Sequence, residues 1–359
     1  MAKVIPHGSL WIQDSVVSLD PDQSVVKTEQ GQTLTYDCLI VAPGIKLDWD
    51  RIRGLNETLG HHGVYSIYDK YSVTKLSRAL KTFKGGNAIF TQPSTPIKCA
   101  GAPQKIMYCA EEIFCDSKIR SQSNVHFFSG MGKIFAIEKY AKALASVCER
   151  RDINVHLQHE LVGVNGSKRE AIFKSSDGSL MTMDYELLHV VPPMSPPDFI
   201  AQSQIGNAGG WVEVNQYTTQ HVRFPNIFSL GDASSLPTSK TAAAVAAQSG
   251  ITSGNVKSFL AGKELKLEYD GYTSCPLITG RGKLILAEFS GYSQQPQEVN
   301  DCRLYIVTRQ TFAFDQSQER AMPYYLTADI IPTVYWKGML TGFWHGPGIL
   351  RPILNPQGK

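Results

Sequence analysis

Short apolar strands that alternate with amphipathic helices constrain the fold of this 359-residue chain more than any other feature. Strand-like runs lie at 87–90, 125–128 and 155–157, and apolar residues with helical spacing lie between them, at 106–114 and 138–150. Strands this apolar are typically buried on both faces, and helical connections make consecutive strands parallel. The pattern therefore predicts an α/β fold with a parallel sheet that is covered on both faces.

The segments on either side of this alternation predict β-structure and one unusual helix. Short apolar runs with turn signals over 9–43 predict a small antiparallel meander. A turn within 161–184 predicts a hairpin inserted into the parallel unit, and 225–232 predict a strand. The stretch 241–250 is strongly helical and consists almost entirely of small residues, so a flat group can lie against it.

Composition and charge exclude several classes of function. The formal net charge is only +3, and no dense run of Lys and Arg provides a nucleic-acid footprint. Seven cysteines at irregular spacing, an odd number, argue against a secreted disulfide framework. No pair of CxxC motifs indicates structural zinc, so no metal site is predicted. The first residues lack the pattern of a targeting peptide and read as the middle of a domain.

One cysteine lies where a thiolate is favoured. Cys99 follows the strand at 87–90 and comes just before a helix, with Pro103 suited to the first helical turn. Lys98 and Lys105 are close in sequence. Because a helix N-terminus and nearby cations both stabilise a thiolate, Cys99 is predicted to be more reactive than a free thiol. A buried structural thiol is the alternative for any single cysteine.

A second cysteine is the candidate partner of the first. Cys275 lies in 272–277, predicted to be a loop that precedes a strand at 283–289. The fold alone can bring it near Cys99, which is 176 residues away (275 − 99). The structural alternative is kept for the other thiols, and Cys302 has no argued role. Those predicted to be structural are Cys38, Cys109, Cys115 and Cys148.

Several short motifs resemble those of flavoproteins with two dinucleotide-binding domains. A strand end at 42–44 resembles the segment where such chains pass between the two domains. The strand at 225–232 resembles the late motif whose Asp binds the flavin ribityl chain. The helix after it would direct its N-terminal dipole at the O2/N1 edge of the flavin, and Val16 would hold the adenine through its backbone. The residues implied at the flavin are Val16, Ala42, Gly44, Gly231, Asp232, Lys240, Thr241 and Ala242.

Glycine fingerprints of the type GxGxxG are missing from the sequence. A FAD domain of this class opens with one, so the N-terminal phosphate-binding unit is expected to be absent from this chain. A second would follow the strand at 87–90 in a protein that uses a nicotinamide. The loop 91–103 contains prolines instead, which remove N–H donors, so NAD(P)H is not the predicted reductant.

Longer runs resemble sulfide:quinone oxidoreductases, and the animal mitochondrial type in particular. The runs that carry this resemblance are 96–108, 192–198, 236–244 and 271–277. The resemblance extends over nearly the whole chain and implies two Rossmann-like domains of the FAD/NAD(P)-linked disulfide-reductase type, the first incomplete. The implied division is 1–46 for the remainder of the FAD domain, 47–205 for the second dinucleotide-like domain, 206–290 for the return to the FAD domain with the flavin helix, and 291–359 for an insertion and a C-terminal amphipathic segment.

The resemblance also implies a reaction. Hydrosulfide attacks the unit formed by Cys99 and Cys275, which leaves a persulfide and a thiolate. Cys275 is expected to react with the flavin, while the sulfur stays on Cys99 or in a bridging trisulfide until sulfite or glutathione accepts it. Two electrons pass through FAD to ubiquinone. An extra segment near 299–310 departs from the family pattern.

The C-terminal stretch 320–354 is rich in aromatic residues and contains no run of about 18 apolar residues that would span a membrane. It predicts either a membrane-interface segment, with aromatic residues near 314 and 343 as quinone contacts, or a helical pair packed on the core. The resemblance implies a peripheral, monotopic protein of the mitochondrial inner membrane, and the oligomeric state is left open.

Two other functions compete with this one. A type II NADH:quinone oxidoreductase has a similar architecture, but the proline-filled loop and the cysteines argue against it. A truncated, FAD-deficient and catalytically inactive family member is the other alternative, because the phosphate-binding unit supplies much of the cofactor's anchoring.

Overall fold

The structure, a computed structural model, describes residues 4–293, 295–296, 311–312 and 314–346. The predicted departure at 299–310 and Cys302 lie outside these residues. The strands are β1 (Val16–Asp20), β2 (Val25–Thr28), β3 (Thr33–Thr35), β4 (Leu39–Val41), β5 (Lys46–Leu47), β6 (Val64–Tyr65), β7 (Gly86–Gln92), β8 (Ser123–Ser129), β9 (Ile153–Leu157), β10 (His159–Asn165), β11 (Glu170–Ser175), β12 (Leu180–Asp184), β13 (Leu187–His189), β14 (Met194–Ser195), β15 (Ile227–Ser229), β16 (Tyr272–Gly280), β17 (Lys283–Ser290) and β18 (Gln295–Pro296). The helices are α1 (Leu55–Thr58), α2 (Ser72–Thr82), α3 (Ala102–Asp116), α4 (Glu138–Arg150), α5 (Asp198–Ala201), α6 (Ala242–Leu260), α7 (Ala321–Tyr325) and α8 (Ile331–Val334).

A five-stranded parallel sheet forms the centre of the fold, in the order β6-β13-β7-β8-β9. Residues of β7 and β8 are almost continuously buried, because both faces of the sheet are covered. Helices α2, α3 and α4 pack on one face, and strands β10 and β11 pack on the other. Phe90, Phe127 and Tyr108 belong to the main apolar core between the sheet and its helices. The predicted α/β fold with a parallel sheet is confirmed.

A second region combines the N-terminal meander with a strand from much later in the chain. The sheet β1-β2-β3 is antiparallel, as predicted. Strand β4 pairs with β15 in parallel, with Leu39 opposite Ile227 and Val41 opposite Ser229. Since both strands run in the same direction, the segments that follow them, at 42–44 and 230–232, begin at the same end of this strand pair. The domain boundaries themselves stay a prediction.

Two elements extend beyond the segments from which they were predicted. The insert expected as a hairpin is a three-stranded antiparallel sheet, β10-β11-β12. Helix α6 does not end near Gly250 but continues to Leu260. Glycines inside it are explained by close packing, because a Cβ on Gly254 would lie 2.2 Å from Leu267 Cδ1.

Cys275 lies in a strand and not in the predicted loop. It is in the middle of β16, which pairs with β17 in an antiparallel hairpin and places Cys275 opposite Ala287. Strand β16 is the edge of the sheet β16-β17-β18, and an edge strand tolerates a proline such as Pro276. The proline made this stretch look like a loop in the sequence.

The C-terminal part of the described chain is a short helical run. It passes from α7 through a π-helical turn, Leu326–Ile330, into α8 and a second π-helical turn, Tyr335–Met339. Tyr325, Ile330 and Trp336 are exposed along it. Within the described ranges, no helix has the length and apolarity needed to cross a membrane.

Candidate active site

The structure brings Cys99 and Cys275 together at the carboxyl end of β7. Their Sγ atoms are 3.6 Å apart, and both cysteines are free thiols. Cys99 has φ +87°, a backbone conformation that is strained for any residue with a side chain. Strain of this kind is concentrated at functional sites, where the surrounding structure maintains it.

Gly101 allows the two sulfurs to approach each other. A Cβ on this residue would lie 2.6 Å from Cys275 Sγ and 2.3 Å from Leu277 Cδ2. The backbone of Gly101 is right-handed helical, with φ −88°, so a side chain is excluded by lack of space and not by conformation. The short distance between β16 and the start of α3 therefore depends on this glycine.

The surroundings of the pair favour one thiolate. A hydrogen bond from Cys275, together with the ammonium of Lys105 at 3.6 Å from Cys99 Sγ, lowers the pKa of Cys99 to about 6 despite partial burial. The pKa of Cys275 is raised well above its usual value, because its thiol donates to Cys99 and lies in the core, 1% exposed. The pair therefore carries one negative charge, on Cys99.

Lys98 does not act as the sequence suggested. Its ammonium lies 5.7 Å from the centre of the Tyr68 ring, and its carbonyl accepts a hydrogen bond from the Tyr68 hydroxyl at 3.1 Å. Burial raises the pKa of Tyr68, and the negative charge of the nearby Cys99 thiolate raises it further. Of the two lysines predicted beside Cys99, Lys105 makes the contact.

Cys99 opens onto a cavity of about 610 Å³, whose walls come from distant parts of the chain. The cavity is open on one side and mostly apolar. The residues that line it are Ala42, Gly44, Ile67, Tyr68, Lys98, Cys99, Ala102, Leu230, Gly231, Asp232, Lys240, Thr241, Ala242, Val245, Tyr335 and Met339.

The N-terminus of α6 forms one wall of this cavity. Thr241 is the N-cap, and its hydroxyl accepts a hydrogen bond from the amide of Ala244 at 3.1 Å. A second contact, 2.9 Å to the hydroxyl of Thr273, fixes the cap to β16. The first turn of a 19-residue helix thus directs its free amides and its positive dipole end at the cavity.

Asp232 and Lys240 add opposite charges to the same wall. Burial raises the pKa of the Asp232 carboxyl, against the attraction of Lys240 and Lys98. Burial also lowers the pKa of Lys240 to about 8, against the attraction of the Asp232 carboxylate. The Lys240 ammonium lies 3.8 Å from the centre of the Trp211 ring and donates to the carbonyl of Asp232 at 2.5 Å. A carboxylate beside an ammonium and helix amides suits a group with both hydroxyls and an anionic edge.

The residues present fit a flavin on the chemistry of this donor set. Gly44 has φ +84° and open space where its Cβ would be, and Ala42 and Ala242 present small side chains. Gly231 has φ +73°, and its amide donates to the side chain of Gln248 at 2.8 Å, which holds the turn open. These features leave room for a flat ring next to α6.

Most of the predicted cofactor contacts meet in this cavity. Ala42, Gly44, Gly231, Asp232, Lys240, Thr241 and Ala242 line it, together with Cys99. Val16 is not among the lining residues, and Cys275 lies behind Cys99 in the core. A β-bulge between Val16 and Ser18 interrupts the pairing with β2, which leaves backbone groups there outside the ladder.

Sequence reasoning missed part of the cavity wall. Tyr335 and Met339 line the cavity from the C-terminal run, although they are about 100 residues beyond the flavin motif. Phe343 is 84% exposed and Phe314 stacks on Phe312, and neither lines the cavity. The aromatic composition of the tail was a signal, but it could not indicate which side chain turns inward.

The remaining cysteines differ in environment. Cys148 is buried and Cys109 is partly buried, in agreement with structural roles. Cys115, expected to be buried, is exposed and donates to the Glu111 carboxylate at 3.1 Å. Cys38 lies just before β4 and is partly buried.

Comparison with known proteins gives relatives that match almost the whole chain. The chain is 45% identical over 354 residues to the mitochondrial sulfide:quinone oxidoreductase of Mus musculus. The aligned region covers 98% of this chain and 76% of the relative. It is 41% identical over 356 residues to the protein of the same name from Dictyostelium discoideum, with 98% and 76% covered. No family model matches the chain.

Solved structures agree on the fold. A chain of the mitochondrial ATP synthase tetramer of Tetrahymena thermophila superposes with a TM-score of 0.73 at 22% identity, over 99% of this chain and 82% of the other. The sulfide:quinone oxidoreductase of Aquifex aeolicus superposes with a TM-score of 0.64 at 16% identity, over 77% of this chain and 67% of the other. With two curated relatives above 40% identity along almost its entire length, the chain belongs to the sulfide:quinone oxidoreductase family of enzymes.

Proposed function

We propose that this chain oxidises hydrogen sulfide through the Cys99–Cys275 pair and passes the electrons through FAD to ubiquinone. The observation that carries the proposal is the pair itself. Two sulfurs 3.6 Å apart, one of them stabilised as a thiolate by Lys105, lie at the wall of a cavity whose other groups fit a flavin. Family membership supports the same reaction.

The cysteines have distinct roles in this proposal. Cys99 is the thiolate that faces the flavin, because it lines the cavity and has the lower pKa. Cys275, to which the sequence interpretation gave that role, is enclosed by the core and retains its proton. The proposal therefore exchanges the roles that the sequence suggested for the two cysteines.

The sulfur step follows from the unequal pKa values. With the pair oxidised to a disulfide, hydrosulfide attacks the Cys275 sulfur; the S–S bond breaks, and Cys99 leaves as thiolate because the thiol of lower pKa leaves faster. Cys275 then carries the new S–S bond as a persulfide. A nucleophilic acceptor takes the outer sulfur and returns Cys275 to a thiolate. Re-forming the disulfide releases two electrons.

A bridging sulfur also fits the gap. The distance of 3.6 Å exceeds one S–S bond of about 2.05 Å and is shorter than two such bonds laid end to end. One extra sulfur can therefore join Cys99 to Cys275 with a bent geometry. A trisulfide is the resting form that this spacing would accommodate.

Bound FAD would take up the two electrons and transfer them to the quinone. Asp232 would hold the ribityl hydroxyls, Gly231 would admit the backbone close to them, and the amides of Ala242 at the N-terminus of α6 would face the anionic ring edge. Lys240 and Thr241 would complete that wall. Val16 keeps its proposed backbone contact with the adenine.

Different residues of the cavity are proposed to bind the sulfur acceptor and the electron acceptor. Lys98 and Lys240 give it a positive character, which suits an anionic sulfur acceptor such as sulfite or the carboxylates of glutathione. Tyr335 and Met339 provide apolar contacts of the type that a ubiquinone ring needs. These two side chains replace the aromatic residues near 314 and 343 as the proposed quinone contacts.

Steady-state turnover tests the proposal. Purified chain, supplied with FAD, sulfide, sulfite and a short-chain ubiquinone analogue, is expected to reduce the quinone in a sulfide-dependent manner, while NADH in place of sulfide gives no reduction. Turnover with NADH and not with sulfide would contradict it in favour of an NADH:quinone oxidoreductase. A colourless protein without turnover in either arm would contradict the proposed activity.

Lys105→Met is expected to raise the pKa of Cys99 by at least about one unit, because an opposite charge in contact shifts a pKa by about 1–3. In the wild type, Cys99 is a thiolate above a pH of about 6. In the variant, Cys99 stays protonated up to a higher pH, so the two proteins differ between the wild-type midpoint and the higher midpoint of the variant. The alkylation rate of the Cys99 peptide by iodoacetamide, followed by mass spectrometry against pH, measures the midpoint. Lys105→Arg should restore most of the shift, and an unchanged midpoint in Lys105→Met would contradict the assignment.

Placement at the mitochondrial inner membrane is part of the proposal, with the exposed side chains of the helical run at the lipid surface. Trp336→Glu, which puts a charge on a side chain that is 61% exposed, is expected to weaken co-sedimentation with cardiolipin-containing vesicles at least about fivefold. Tyr71→Glu, which changes a similarly exposed aromatic residue at the N-cap of α2, is the matched control and should bind as wild type. Equal binding by both variants would contradict the lipid contact.

A further inference from the structure

A buried carboxylate lies on the reverse face of the hairpin that holds Cys275. In the β16–β17 register, Cys275 is opposite Ala287, and Ser274 is opposite Glu288. Because side chains alternate along a strand, Glu288 points away from the face that holds the cysteine. Glu288 is 2% exposed.

Four neutral donors satisfy the two oxygens of this carboxylate. The hydroxyls of Tyr272 and Thr311 donate to Oε1 at 2.7 and 2.5 Å. The amide of Thr311 and the side-chain amide of Gln316 donate to Oε2 at 2.8 and 2.5 Å. The hydroxyl of Tyr140 lies 3.1 Å from the Glu288 carbonyl. A fully satisfied buried network of this kind holds its members in one arrangement.

Two of the partners begin the C-terminal segment. Thr311 and Gln316 precede the helical run that supplies the Tyr335 and Met339 wall of the cavity. A short bridge between Leu284 and Arg320, with backbone hydrogen bonds of 3.0 and 3.1 Å, attaches the same segment to the start of β17. The run is therefore attached to the redox hairpin at two places before it reaches the cavity.

We propose that Glu288 is a positioning residue for the electron acceptor, because it fixes the C-terminal run against the hairpin of Cys275 and so sets where Tyr335 and Met339 meet the quinone. This inference rests on the proposed function. The Glu288 network joins the hairpin of the sulfide-oxidising cysteine to the segment that carries the acceptor wall.

Glu288→Gln tests the proposal, since it keeps the side-chain volume but turns an acceptor into a donor that faces the donors of Thr311 and Gln316. The expected result in the FAD-supplied full chain is a rise of at least about tenfold in the KM for the quinone analogue, with anaerobic flavin reduction by sulfide within about twofold of wild type. The double variant Glu288→Gln with Gln316→Glu, which restores one donor–acceptor pair, should recover part of the KM. Thr252→Val, which removes a buried hydroxyl contact with Thr219, controls for general loss of stability and should leave the quinone KM unchanged.

Two measurements keep the outcome decisive. If Glu288→Gln does not fold, Thr311→Val removes a single donor and should show the same split between the two half-reactions to a smaller extent. Trypsin cleavage after Lys337, relative to cleavage after the exposed Lys142, should be faster in the variant, and this readout does not depend on turnover. Equal loss of sulfide oxidation and quinone reduction, or an unchanged KM and cleavage rate, would overturn the proposal. If wild type shows no turnover, the proposed function fails, and the cleavage ratio alone decides whether Glu288 holds the run.

Discussion

Cys99→Ser is expected to lower the kcat of sulfide-dependent quinone reduction by at least about 10³-fold, because losing a nucleophile that acts within a catalytic unit removes most of the catalysis. A hydroxyl cannot form a disulfide or leave as a low-pKa thiolate, so neither the attack by hydrosulfide nor the return of electrons can occur. Cys275→Ser should give a loss of the same order. Steady-state rates and the visible spectrum measure activity and flavin retention separately.

Cys115→Ser is the matched control for this prediction. Cys115 is an exposed thiol on α3, the helix that follows Cys99, yet it does not line the cavity. The control should keep wild-type kcat. Retention of more than about a tenth of the activity in Cys99→Ser would show that sulfide is oxidised elsewhere.

Gly101→Ala is expected to produce the second-largest effect, a fall in kcat of at least about 100-fold, because misplacement of reacting groups by about 1 Å costs that much. The added Cβ would lie 2.6 Å from Cys275 Sγ, so the two sulfurs must separate. Backbone conformation does not contribute, since Gly101 already has an alanine-compatible φ of −88°. Disulfide formation between Cys99 and Cys275, followed by non-reducing peptide mapping, measures the separation directly.

Gly132→Ala provides the comparison, because the nearest atom to its Cβ would be Gln158 Nε2 at an ordinary 3.9 Å. This variant should retain wild-type kcat and disulfide yield. An active Gly101→Ala variant with normal disulfide formation would contradict the idea that the pair depends on this close approach.

The sequence predicted the parallel unit well because its signals are local. Apolar runs at 87–90 and 125–128 lie within β7 and β8, and the predicted helix at 138–150 coincides with α4. Periodicity fails where tertiary contacts decide the structure. Gly250 does not end α6, because the helix continues through a region where glycine permits close packing.

The site was only partly accessible from sequence for the same reason. Motif resemblance identified Asp232 and Thr241, and the structure places both on one cavity with Cys99. The roles of the two cysteines depend on burial and on Lys105, which spacing along the chain does not encode. Tyr335 reaches the cavity only through the path of the C-terminal run.

Transfer of sulfur to the cysteine pair tests the central claim most directly, and it does not require the flavin. The chain is oxidised with a mild thiol oxidant, treated anaerobically with sulfide, alkylated and digested, and the peptides containing Cys99 and Cys275 are weighed. One extra sulfur atom on the Cys275 peptide, with alkylated Cys99 in the other peptide, is the predicted result. If neither peptide gains sulfur while the Cys99–Cys275 disulfide was present at the start, the pair is not the site of sulfide oxidation.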